Sequence, residues 1–401
     1  MTINNSNTKR INVLYLSRWY PNRYDPMPGL FIQRHAEAAN MYCKVAVVYV
    51  HAVSDKGQKK YELVPEKING VTTIKVYYNN NVAGIPLVGR FVKMWRFYRA
   101  NMLGIRSVKE YLGHFDLVHI HILSRLGLIG LYYKWFRNIN YVISEHWSRY
   151  LKATGSFNGL FRKWFTRLVV GNAAAVTTVT ANLAGAMRSH KLKNNNYIVL
   201  ANVLSPDFIN IKNNKPSGAA KKNIVHISCF EDKSKNISGI LRVVKRLADM
   251  RDDFHIAMIG DGIDYMKMKE YAISLNIPSN ILSFKGLLEG KELVTEMGNA
   301  ALSLIFSNYE NFPVVINESF SLGIAVISTR VGGIPEYVND ENGILLDAGD
   351  EEGLFIRLNM FLDDKYSFDS EKIKQKAISD FSMENVGKKL MDIYKRFADG
   401  P

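Results

Sequence analysis

Two carboxylates and the turn between them form the sharpest chemical signal in the sequence. Glu310 and Glu318 are separated by seven residues in SNYENFPVVINESFSLG, with Asn311-Phe312-Pro313 directly after the first. The turn predicts a helix beginning near Val314, with Glu310 on the loop above a strand end and Glu318 one turn into the helix. Free N–H groups at such a helix start attract a phosphate. A carboxylate on each side can accept hydrogen bonds from ligand hydroxyls. A capped helix carrying two solvated glutamates fits the same spacing.

Further candidates stand where other strands end. The stretch HISCFEDKSKNISG carries Cys229, Lys233 and Lys235 after a short apolar run, and Gly260-Asp261-Gly262 follows FHIAMI. A glycine-flanked strand end lets backbone approach a ligand closely. In the first half, Ser17-Arg18-Trp19-Tyr20-Pro21 and Pro28-Gly29 flank the first strand–helix loop. Gly29 before the helix at Leu30 suits an anion. Arg18, beside Trp19, is either a cation for an anionic acceptor or a plain surface arginine. His146 directly follows the strand NYVIS, which points it at a cleft, whereas His119 and His121 of DLVHIH read as packing or loop-ordering residues.

Elements must position these residues. Apolar runs at 11–17, 44–50, 71–78, 116–121, 140–144, 174–179 and 197–200 predict strands, with helices at 30–41, 87–112 and 157–168. The polar stretch 202–223, with Pro206, Pro216 and Gly218, reads as a linker. The pattern then restarts, with strands at 223–228, 254–259, 281–284, 301–305 and 325–328, a helix at 237–250, and a last amphipathic helix at 382–397 capped by Ser382. The expected class is α/β, with two doubly wound parallel-sheet, Rossmann-like domains facing each other across a cleft. The division is 1–205 for an acceptor domain, 206–222 for the linker and 223–381 for a donor domain. Residues 382–401 form a helix crossing back toward the first domain.

The string from Ser307 to Asp350 closely resembles the retaining glycosyltransferases of family 4, which have the GT-B fold. The matching residues are Glu310, Asn311-Phe312-Pro313, Glu318, Val331-Gly332-Gly333-Ile334-Pro335-Glu336 and Asn342-Gly343-Ile344-Leu345-Leu346. The resemblance implies that Glu310 touches hydroxyls of a donor sugar and Glu318 a ribose. It also implies that Phe312, Pro313 and Val314 border the donor. Lys235 matches a family lysine that faces the donor diphosphate, and His146 one that contacts the donor sugar and phosphate. Gly29, Gly260 and Gly262 fall on donor-lining turns, the latter two beside the base. Two positions depart from the pattern: Cys229 replaces an arginine, with Lys233 or the turn's amides standing in for its charge, and Asn311 replaces a glycine. Asparagine tolerates left-handed backbone, which would preserve the loop.

The implied reaction moves a sugar from a nucleotide diphosphate sugar to the hydroxyl of a glycan or lipid-linked acceptor, with retained configuration. A lysine and helix N–H groups at the diphosphate make a metal and any cofactor unnecessary, and no DxD-spaced carboxylate cluster or Cys/His cluster stands out. A nucleotide-sugar epimerase on the same fold and a non-catalytic sugar-nucleotide-binding subunit are the alternatives, the latter motivated by Cys229 and Asn311.

The chain has 401 residues, two cysteines and a net charge of +15. Two cysteines point to the reducing cytoplasm, and the polar opening MTINNSNTKR lacks a signal-peptide core. Residues 1–200 hold 28 Lys and Arg against 8 Asp and Glu, whereas the remainder holds 24 against 29. Arg90, Lys93, Arg96 and Arg99 share a predicted helix with Phe91, Trp95, Phe97 and Tyr98, and Arg162, Lys163 and Arg167 another with Phe161, Trp164 and Phe165. Basic stems among aromatics suit a bilayer interface. The expected location is therefore cytoplasmic, docked on the inner face of an anionic membrane. Nucleic acid is not an expected partner, since the basic half lacks a recognised binding module.

Overall fold

The computed structural model describes residues 10–398, apart from 56, 58, 82–85, 124 and 210–220. Most of the expected linker, and the first nine residues, lie outside the described residues. The first half comprises β1 (Asn12–Ser17), α1 (Leu30–Asn40), β2 (Lys44–Val53), β3 (Tyr61–Ile68), β4 (Val71–Asn79), α2 (Pro86–Leu112), β5 (Leu117–His121), α3 (Gly127–Arg137), β6 (Tyr141–Glu145), α4 (Leu160–Asn172), β7 (Ala175–Thr178), α5 (Ala181–Ser189) and β8 (Tyr197–Val199). Its sheet runs β3-β4-β2-β1-β5-β6-β7-β8. Every residue of β1, β5 and β6 is buried, which explains their unbroken apolar character.

The second half comprises β9 (Lys222–Ile227), α6 (Asp232–Lys235), α7 (Ile237–Ala248), β10 (Phe254–Ile259), α8 (Tyr265–Ser274), β11 (Leu282–Gly286), α9 (Gly290–Gly298), β12 (Leu302–Ile305), α10 (Val314–Ser321), β13 (Val326–Thr329) and β14 (Gly343–Leu346), then α11 (Glu351–Leu362), α12 (Ser370–Phe381) and α13 (Met383–Phe397). Its sheet runs β11-β10-β9-β12-β13-β14, all parallel. The order reverses at the β9/β12 pair, which opens a crevice at their carboxyl ends. Lys235 leaves by the loop after β9 and Glu310 by the loop after β12. The first sheet reverses at β1/β5 in the same manner, beside Arg18 and His121.

Two strands escape the sequence pattern. β3 pairs antiparallel with β4 on the sheet edge, and its Pro65 would argue against an interior strand. β14 closes the other sheet with only four residues. α4 starts at Leu160 and not Phe157, because Phe157 is buried against Tyr150 while Gly159, at φ 94°, breaks the chain direction. Ser382 caps α13 as expected, accepting from the Asn385 amide.

α13 lies against α1, and its Tyr394 hydroxyl reaches His119 Nδ1 at 2.7 Å and the Tyr15 hydroxyl at 2.5 Å. The helices can approach because Gly387 faces α1: a Cβ there would sit 2.4 Å from the Ala38 carbonyl oxygen. Gly387→Ala should therefore lower unfolding free energy by about 1–3 kcal/mol, the usual cost of overpacking. Gly185→Ala on α5, where an added Cβ meets nothing within 4 Å, should be neutral or stabilising by up to about 1 kcal/mol. Urea titration of the pair checks the contact, and equal responses would refute it.

Candidate functional site

The crevice of the second sheet holds a charged pair. Lys235 Nζ binds Glu310 Oε1, and the Ser307 hydroxyl donates to the same oxygen at 3.0 Å. Only 15% and 12% of the two charged side chains are exposed. Burial works against the lysine's charge, but the Glu310 carboxylate, helped by Cys229 and Tyr309, holds its pKa above the ordinary value. Local structure aims the lysine. Asp232 accepts from the amide and hydroxyl of Ser238, and Asp264 accepts from the Asp232 amide, which pins the short α6. The Asn308 amide donates to the Ser234 carbonyl, and its side chain donates to the Lys233 carbonyl. The β9 and β12 loops are thereby joined on either side of the pair. Lys233 itself is exposed, and so is Cys229.

The turn after Glu310 connects the two halves. Pro313 is the N-cap of α10, whose start at Val314 has no side-chain cap. Asn311 does not occupy left-handed backbone, contrary to expectation. Its carboxamide instead donates to the His146 carbonyl at 2.8 Å and accepts from the Thr180 hydroxyl at 3.4 Å, so the substitution adds a tie across the cleft. Phe312, expected at the donor, is 4% exposed and stacks on Tyr337 at 4.1 Å. It anchors the turn from below, and Tyr337 in turn donates to the Val179 carbonyl of the other half. Glu318 meets Arg34 of α1 at 3.5 Å. Burial raises the Glu318 pKa, and Arg34 offsets part of that rise. Glu336 also crosses over, accepting from the Ala181 and Asn182 amides at 2.7 Å each. A carboxylate at the start of α5 is electrostatically well placed.

In the first half, His146 presents its carbonyl to Asn311, while its ring is buried against Phe31 and His35 with Asn202 beside it. The sequence pointed the ring itself at the cleft. Asn202 is the one side chain in reach of the His146 ring nitrogens among the described residues and makes no well-formed hydrogen bond to them, and both ring nitrogens of His121 are without a partner there. His35, His121 and His146 bring one ring nitrogen each within 4.8 Å of the others. The sequence shows no such cluster, because α1, β5 and the loop after β6 supply one member apiece. Glu145, also unforeseen, accepts from the His146, Trp147 and Leu123 amides and the Tyr150 hydroxyl. It orders the loops after β5 and β6, and burial pushes its carboxyl up to about 7 despite the Trp147, Leu123 and His146 amides and nearby Arg149. A carboxylate at a strand's last position, ahead of free loop amides, is the signal that could have revealed it.

The glycines serve loop packing. Gly29, at φ 79°, lies on the Trp19 backbone, where a Cβ would meet the carbonyl at 2.4 Å. Gly260, at φ 129°, and Gly262 face the Ser228–Phe230 backbone and not open space. Trp19 lies 5.2 Å from Trp147 ring to ring, and Arg18 is exposed.

Residues 207–380 match the family described as glycosyl transferases group 1, and residues 36–208 match glycosyltransferase family 4. The chain belongs to this glycosyltransferase family. A curated relative, N-acetyl-alpha-D-glucosaminyl L-malate synthase of Bacillus anthracis, is 25% identical over 191 residues, which are 47% of this chain and 49% of that protein. The chain thus spans about half the length of that relative. Sucrose-phosphate synthase from Thermosynechococcus elongatus superposes with a TM-score of 0.73 at 15% identity, covering 96% of this chain and 99% of that one. The Anabaena protein HepE, solved with UDP-glucose, superposes at 0.67 and 15% identity, covering 96% and 100%. At such identities the likeness is one of fold, the GT-B arrangement of two facing sheets.

The buried titratable groups of this family member fix the sign of its pH response. Burial lowers His35 and His226 to about 4 and drives His119, His121 and His146 well below their usual value. The unfolded chain protonates these five near pH 6.5, so stability is lost as pH falls through that value. Glu145 and Glu318 act oppositely, because their raised pKa lets the folded state take up protons first. Five protons outweigh two, each with a limiting slope of about 1.4 kcal/mol per pH unit. The melting temperature should fall from pH 7 to pH 5; a flat or rising profile in scanning calorimetry would contradict the buried neutral histidines.

Proposed function

We propose that the chain transfers a sugar from a nucleotide diphosphate sugar to a hydroxyl of a glycan or lipid-linked acceptor, with retained configuration and no metal. The observation that carries this reading is the Lys235–Glu310 pair at the β9/β12 crevice, next to the uncapped start of α10. Lys235 and the α10 amides supply positive potential for the departing diphosphate, whose charge grows as the sugar–oxygen bond breaks. Glu310 accepts hydrogen bonds from the donor sugar, and Glu318 from the ribose once Arg34 yields. In the transfer, the acceptor oxygen bonds the anomeric carbon on the face the diphosphate leaves. The acceptor proton passes to the departing phosphate oxygen, and nucleoside diphosphate is released. HepE holds UDP-glucose on this same fold, which supports a nucleotide-sugar donor.

The same surface features support a peripheral site of action on the inner face of the cytoplasmic membrane. No helix among the described residues is long and apolar enough to cross a membrane. Phe91 and Trp95 on α2 are 61% and 57% exposed, and Phe161 and Trp164 on α4 are 76% and 57% exposed. Phe97, in contrast, packs into the core, and Arg96 is occupied by the Asn79 and Asn81 carbonyls. The interfacial face is therefore narrower than the helical repeat suggested.

Lys235→Ala or Glu310→Gln should cut turnover by at least ~100-fold, the scale of one lost transition-state contact, while wild-type turnover persists in EDTA. Glu318→Ala should weaken nucleoside diphosphate binding in calorimetry. Wild-type rates in folded Lys235 and Glu310 variants would remove the assignment, and loss in EDTA reversed by manganese would reveal a metal. For docking, sedimentation with anionic liposomes should decline as salt rises and on joint Gln substitution of Arg90, Lys93, Arg99 and Lys163, each near-surface cation contributing about 1 kcal/mol. No binding at low salt would leave a soluble acceptor as the better reading.

A further inference from the structure

A large cavity lies wholly in the first half, away from the Lys235–Glu310 pair. It is a trough of about 1050 Å³ between α2, α3 and α4, at the upper end of small-ligand sites. Its walls are apolar, with Phe97, Leu128, Leu131, Trp135, Trp164 and Phe165 among them. Its inner end is formed by residues on the loops after strands: Arg18 after β1, Leu123 after β5, and Trp147 and Arg149 after β6. Those strand ends also frame His146 and the Asn311 tie, so the trough begins at the cleft. Its outer margin runs to Leu128, Trp135, Phe161 and Trp164, all exposed.

The charge at the inner end is one-sided. Arg18, Arg90, Lys93, Arg125, Arg149 and Arg162 border the trough, and no acidic residue does among the described residues. α3 and α4 contain no Asp or Glu at all. Arg149 lies over the Trp147 ring at 3.0 Å, and none of these six cations has an ion-pair partner among the described residues. Burial disfavours the charge of Arg149, Tyr150 and Glu145 offset part of that, and nearby Arg162 and Arg18 add to it. A half-buried Arg149, flanked by the exposed Arg18 and Arg162 and without an ion-paired carboxylate among the described residues, leaves a site that an anion completes. The apolar trough leading away from it matches a long hydrocarbon chain, whose burial is favourable in proportion to its area.

We propose that this trough binds a lipid-linked acceptor whose hydroxyl-bearing sugar is carried on a single-chain lipid phosphate or diphosphate, with the phosphate at Arg18, Arg149 and Arg162 and the chain along α3 and α4 toward the exposed aromatic margin. The inference rests on the glycosyl-transfer reading and names its acceptor class. It also gives the membrane-facing aromatics a purpose, since a chain can pass from the bilayer into the trough along them.

All five tryptophans of the chain, Trp19, Trp95, Trp135, Trp147 and Trp164, lie in the first half, and three line the trough. Intrinsic fluorescence therefore reports on its occupancy. Farnesyl diphosphate, titrated below its micelle concentration, should give a saturable change. Farnesol, the chain without the anion, and inorganic diphosphate, the anion without the chain, should each bind at least ten-fold more weakly. Joint Arg149→Gln and Arg162→Gln should weaken farnesyl diphosphate at least ten-fold and leave farnesol unchanged. Leu128→Asp should weaken both prenyl probes. Farnesol matching farnesyl diphosphate, or inorganic diphosphate matching it, overturns the proposal, as does a double variant that binds like wild type. Binding of UDP, GDP and ADP is measured by calorimetry on the same preparation. Nucleotide binding without a prenyl response strikes only the trough, whereas loss of all nucleotide binding strikes the transfer reading beneath it.

Discussion

A lysine that is mostly buried keeps its charge only beside a carboxylate, and the second half of the molecule is organised around that requirement. Lys235 and Glu310 arrive on different loops, 75 residues apart in sequence, and neither could be buried alone without a cost of several kcal/mol. The reversal of strand order at β9/β12 brings the loops together, Asn308 joins them, and Ser307 satisfies the carboxylate further. Such a pair is a weak source of stability. It is a strong source of geometry, because a charged lysine is held where an entering anion can take it over from the glutamate.

The interface between halves is made from the same short stretch of chain. The residues from Glu310 to Glu336 hold Lys235, reach His146 and Thr180 through Asn311, meet Arg34 through Glu318, and seat a carboxylate on the start of α5. The geometry of the proposed site and the contact between halves are therefore not separable here. A change in the turn that disturbs Asn311 alters both, even though that side chain is bonded to His146 and Thr180 and to neither Lys235 nor Glu318.

Much of the fold was legible because buried parallel strands read as uninterrupted apolar runs, and because turn residues separate them. The strand β3 was not, since its exposed positions alternate and Pro65 suits only an edge. The carboxylate spacing of Glu310 and Glu318 was legible for a similar reason: it lies within one loop and one helix. What could not be read was convergence from distant segments. Arg34 opposite Glu318, the three-histidine cluster and the four donors on Glu145 each depend on how separate elements dock. Asn311 is more instructive. The left-handed tolerance of asparagine predicts its backbone to keep the loop, and the structure uses its side chain instead. Phe312 followed a motif to the donor, whereas its size and apolarity placed it under the turn.

The chain crosses between halves twice, once after β8 and once where α12 gives way to α13. These crossings are not independent, because the Leu204 amide donates to the Phe381 carbonyl at 2.8 Å. Two chain segments pinned side by side define one axis, about which a swing would be the simplest way for the halves to separate. α13 travels with the first half, held there by Tyr394 and the close approach at Gly387. The polar ties released by the swing, at Asn311, Glu318 and Glu336, are ones that water can replace. Entry and exit of the proposed nucleotide donor would then need one rotation that leaves both cores intact.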